Sequence, residues 1–80
     1  MIDSTTRKPI RVSIDGTSGP YIMVPVDQLA RVRDLLTQNQ IDFWVDKFAI
    51  ALDGKPAIAI VNLGRTGDAA HVQAILNDIP

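Results

Sequence analysis

The chain has no cysteine among its 80 residues, which removes disulfides, thiolate nucleophiles and cysteine metal sites together. Packing and hydrogen bonding alone must hold the fold, and a cytoplasmic address is the expectation. Glutamate is missing as well: all nine acidic residues are aspartate, a short carboxylate suited to turns and helix starts. No apolar run approaches the roughly 20 residues that a membrane helix requires. The longest, Phe48 to Leu52 and Ala57 to Val61, are strand-sized, so no membrane partner is expected. Dense positive charge is lacking too. Arg7, Lys8, Arg11, Arg31, Arg33, Lys47, Lys55 and Arg65 are spread along a chain of formal net charge −1. Nucleic-acid binding through counterion release needs clustered cations, so it is not expected.

Catalytic signatures are also missing. His71 is the only histidine. It has no cysteine to activate, and Ser4, Ser13 and Ser18 fall in an arm, a strand and a turn without a nucleophile motif. Asp68 and His71, three apart on a helix, supply at most two metal ligands, so no metal and no cofactor are assigned. Asp42 and Asp46 can point the same way along a strand, but strand ends and turns account for them without catalysis. The expected activity is binding, with no catalytic residue named.

What is present reads as a single domain over residues 9–80, preceded by a frayed arm over residues 1–8. Ile10, Val12 and Ile14 alternate with Arg11 and Ser13, the period-two pattern of an edge strand with one wet face. Turn formers from Asp15 to Pro20 lead into a second strand, Tyr21 to Val24. Val26, Leu29, Val32, Leu35 and Leu36 then recur at helical spacing, starting at Pro25 or Asp27 and stopping at Asn39-Gln40. This stripe places Arg33 near its buried edge, stem packed and head wet. Asp42 to Leu52 reads as one bent strand, Asp53 to Pro56 as a hairpin turn, and Ala57 to Val61 as a strand. Asp68 is a natural N-cap for a last helix carrying Val72, Ile75, Leu76 and Ile79.

The order ββαββα predicts an α/β (α+β) two-layer sandwich. A four-stranded, mostly antiparallel sheet would carry two helices on one face, in the sheet order first, second, fourth, third. This is a permuted version of the ferredoxin-like layout. The strand from Ala57 to Val61 is apolar on both sides, a pattern that calls for cover above and below, whereas two helices cover one face. If the helices take Val12, Ile22 or Val24, Ile50, Ile58 and Ile60, the opposite face presents Tyr21 or Met23, Trp44, Ala49, Ala51, Ala57 and Ala59. A flat apolar face of that kind suits a homodimer or another protein partner. The alternative is a regulatory small-ligand sensor. Here the loop Asn62, Gly64, Arg65, Thr66, Gly67 and Asp68 would present N–H donors to an anion or metabolite.

Overall fold

The computed structural model describes residues 1–17, 19–46 and 57–79. Within them the chain forms β1 (Val12–Ser13), β2 (Tyr21–Pro25), α1 (Val26–Gln38), β3 (Trp44–Val45), β4 (Ile58–Asn62) and α2 (Ala69–Asn77). The strands make one four-stranded antiparallel sheet in the order β1-β2-β4-β3. Its centre is the β2–β4 ladder, which runs from Tyr21 opposite Asn62 to Pro25 opposite Ile58. The expected mid-chain hairpin from Asp53 to Pro56 and most of the expected bent strand lie outside the described residues.

Strand passes to helix at Pro25 without a loop. Proline ends β2, where its missing N–H costs no ladder bond, and its φ of −55° suits the entry to a helix. No side chain caps α1 there. Instead the Val26 N–H donates to the Ala57 carbonyl at 3.0 Å, so the approach to β4 satisfies a helix-start donor that would otherwise lack a partner. The other end of α1 closes in a Schellman turn. Gln40 N–H donates to Thr37 O and Ile41 N–H to Leu36 O, with Gln40 in the left-handed region at φ 58°. In α2 the sequence-predicted cap is present: the Asp68 carboxylate accepts from His71 N–H at 3.0 Å.

Both helices pack on one face. Val32 and Leu36 of α1 and Val72 and Leu76 of α2 join Ile22, Val24 and Val61 of the sheet in a single buried cluster. Fully burying a side chain of this size stabilises by roughly 1.5–3 kcal/mol, so these seven residues carry much of the fold. Val26, counted in the apolar stripe, is instead 45% exposed at the first turn of α1. Arg33 is exposed on the outer side of α1, near Asp34, Thr37 and Phe43.

Residues 1–8 form a turn whose first residues, Met1 to Ser4, meet the two helices. Met1 is buried, and its ammonium donates to the Leu76 and Ile79 carbonyls at the end of α2. The Asp3 carboxylate accepts from Thr5 and Thr6 N–H, and Ser4 Oγ bonds the Asp27 carboxylate of α1. Composition shows the charges and hydroxyls of this segment, but not that α1 and α2 offer them partners.

Candidate functional site on the open sheet face

The face of the sheet away from the helices is built from alternate residues of three strands. Residues directly opposite in an antiparallel ladder share a face. Tyr21 and Trp44 therefore lie with Asn62, and Met23 lies with Ile60. Among these, Met23 is 44% and Trp44 50% exposed, while Tyr21, Ile58, Ile60 and Asn62 are partly buried. An open groove of about 310 Å³ runs between Tyr21, Met23, Ile60, Asn62 and Asp46, with Gly16, Thr17 and Gly19 forming its lip.

Polar contacts fix both ends of this groove. The Tyr21 hydroxyl donates to Asp15 at 2.9 Å, and at the other end Asn62 Nδ2 donates to Asp46 Oδ1 at 3.0 Å. The Asp15 carboxylate raises the Tyr21 pKa above the ordinary tyrosine value by stabilising the protonated phenol, against a smaller opposing effect of Ser13. Behind the lip, Leu63 N–H donates to Pro20 O at 2.9 Å and ties the two loops together. Gly19, at φ 104°, lies against the Gly64 backbone so closely that a side chain there would collide with it.

The sequence reading had β4 turned over. Ala59 was expected on the open face; it is 3% exposed and lies under the helices, opposite Val24, with Val61 opposite Ile22. Ile58 and Ile60, expected under the helices, share the open face with Met23. Both residue sets of β4 are apolar, so hydropathy alone does not choose between them. The missed signal is Asn62. The strand extends one residue further than the apolar run, and a polar terminal residue with an aspartate partner belongs on the wet side, taking Ile60 and Ile58 with it. Ala57 is partly buried just before β4, and Ala49 and Ala51 lie outside the described residues. Tyr21, Met23 and Trp44 are on the face expected for them. The pairing of Asn62 with Asp46 and the lip of Gly16, Thr17 and Gly19 do not emerge from the sequence as one site.

The loop from Asn62 to Asp68 touches the same face at its edge. The Trp44 ring lies over Gly64, which has φ 79° and accepts from Gly67 N–H at 2.9 Å. Arg65 and Thr66 are exposed at its tip. Asp68 occupies the His71 N–H, one of the donors an anion at this helix start would use. No group of three or more acidic or histidine side chains that could hold a metal ion occurs among the described residues. No described helix is long and apolar enough to cross a membrane.

The chain matches no family model, no curated protein and no solved structure. The chemistry of the open face therefore carries the functional reading.

Proposed function

We propose that this is a small non-catalytic interaction module that binds a protein partner or a second copy of itself through the open face of β2, β4 and β3. The observation that carries the reading is that half-exposed Met23, opposite Ile60, and half-exposed Trp44, opposite Asn62, share a sheet face away from both helices. Methionine and tryptophan are enriched where interfaces are fully desolvated, and Asp46, Asn62 and Tyr21 supply a polar rim. The strand order β1-β2-β4-β3 supports reading the fold as a ferredoxin-like sandwich whose last strand has moved to the front of the chain. On this topology an exposed sheet face is available for association, although the analogy is one of fold alone. Sedimentation velocity at micromolar concentration tests the homodimer. We expect a dimer that Met23→Asp dissociates with the far-UV circular dichroism unchanged. A wild-type monomer whose Trp44 emission is the same in cell extract and in buffer would remove the proposal.

A second reading rests on the Trp44 ring over Gly64, which couples the Asn62 to Asp68 loop to a fluorescent reporter. An anion or metabolite bound at Gly64, Arg65 and Gly67 would raise the melting temperature and shift Trp44 emission, with both responses lost in Arg65→Ala.

A further inference from the structure

The outer edge of the first strand has an unusual occupant. On the side away from β2, Ile10 N–H donates to Met1 O at 2.9 Å. The next two backbone groups are met by a side chain: Gln73 Nε2 donates to Ile10 O at 3.1 Å, and Gln73 Oε1 accepts from Val12 N–H at 2.8 Å. A carbonyl at residue i and an N–H at i+2 on the same edge are the pair that a neighbouring strand would bond. The glutamine amide reproduces that neighbour, and only one orientation of the amide satisfies both groups. Asn77 Oδ1, one turn along α2, accepts from the same Nε2 at 3.1 Å and helps hold the amide in place. Beyond Gln73 the edge runs out. By the strand's alternation Ile14 N–H is the next outward donor, no hydrogen bond reaches it among the described residues, and its side chain is 76% exposed.

We infer that Gln73 is a plug on the β1 edge, and that its removal opens this edge to antiparallel pairing with β1 of a second copy. Exposed strand edges are templates for further pairing, and proteins commonly cover them. A second copy is the occupant because an antiparallel pair about a twofold axis needs only one strand's own surface. Here that surface supplies Ile10 O, Val12 N–H and Ile14 N–H, with the exposed Ile14 side chain to cover.

The test is amide hydrogen exchange at Val12, combined with sedimentation, in wild type and Gln73→Ala. In the variant at micromolar concentration we expect Val12 to exchange about tenfold faster or more. Towards millimolar concentration, exchange should slow again as a dimer forms. Adding Ile14→Pro, which removes an outward donor without touching the core, should return the variant to the association state of wild type. Adding Met23→Asp should leave this dimer intact, which separates it from association through the open face. A folded Gln73→Ala that associates no further than wild type at any concentration overturns the inference, as does an added association indifferent to Ile14→Pro or abolished by Met23→Asp. Should Gln73→Ala not fold, Gln73→Met keeps the aliphatic stem without the amide. Failure of that variant to fold as well would make Gln73 a structural requirement rather than a plug.

Discussion

Gln40 sits at the one position of α1's closing turn where glycine is the usual choice. Its φ of 58° places a side chain in the left-handed region, and its N–H and that of Ile41 close the Schellman turn. Relieving the Cβ there outweighs the extra chain entropy that glycine brings to the unfolded state. Gln40→Gly should therefore stabilise by about 0.5–1 kcal/mol, read as a rise in the urea midpoint at unchanged slope. A fall in the midpoint would mean that the Gln40 side chain contributes more than the strain costs. Tyr21 offers a second measurement at a single residue, since it is the chain's only tyrosine. Its hydroxyl donates to Asp15, and its folded pKa is raised above the unfolded value. The stabilisation is therefore complete below the unfolded pKa and is lost as pH rises through the folded one. Phenolate absorbance should show Tyr21 titrating above the ordinary tyrosine range, and Asp15→Asn should bring it back down. An unchanged titration in Asp15→Asn would assign the shift to another cause.

The elements that periodicity made legible are those whose two sides differ in polarity. Helix α1 has a polar side that includes Asp27, Gln28, Arg31 and Asp34, α2 has its aspartate cap, and the Ile10 to Ile14 alternation marks an edge strand. Strand β4 has no such contrast within its apolar run, so its register depended on a tertiary fact, the pairing of Val24 with Ala59 and Ile22 with Val61. That pairing reverses what a charge on β4 should do. Ala59→Asp, which on the sequence reading would have disrupted assembly alone, places an unpaired carboxylate under the helices and should cost about 3 kcal/mol or more. Met23→Asp, on the open face of the neighbouring strand, should leave the helix signal intact. Circular dichroism of the two variants distinguishes the registers, and a folded Ala59→Asp beside an unfolded Met23→Asp would restore the reversed one. The candidate site was legible only in part for the same reason. Tyr21, Met23 and Trp44 stand out by residue type, whereas Asn62 with Asp46 and the lip of Gly16, Thr17 and Gly19 become neighbours only once four strands are assembled.

Across the whole molecule the two halves of the sequence are interlaced. The central ladder joins β2 from the first half to β4 from the second, and β3, which follows α1, pairs among the described residues with β4. Helix α2 packs against β1, its Gln73 bonds the Ile10 and Val12 backbone, and its C-terminal carbonyls hold the Met1 ammonium. Neither half keeps a complete core without the other: α1 needs Val61 and α2 needs Ile22 and Val24 to close one cluster. A chain this short also has little buried surface to divide between independently stable parts. Unfolding should therefore be a single transition, with Trp44 fluorescence at the β3 edge and the far-UV helix signal of α1 and α2 changing at the same denaturant concentration. Trp44 is the only tryptophan, so its emission reports β3 and the Gly64 loop without interference from elsewhere. If the Trp44 transition came clearly before the helix transition, β3 would be a separately melting edge. The open face would then lose its aromatic wall before the core fails, and the interaction surface would be the least stable part of the fold.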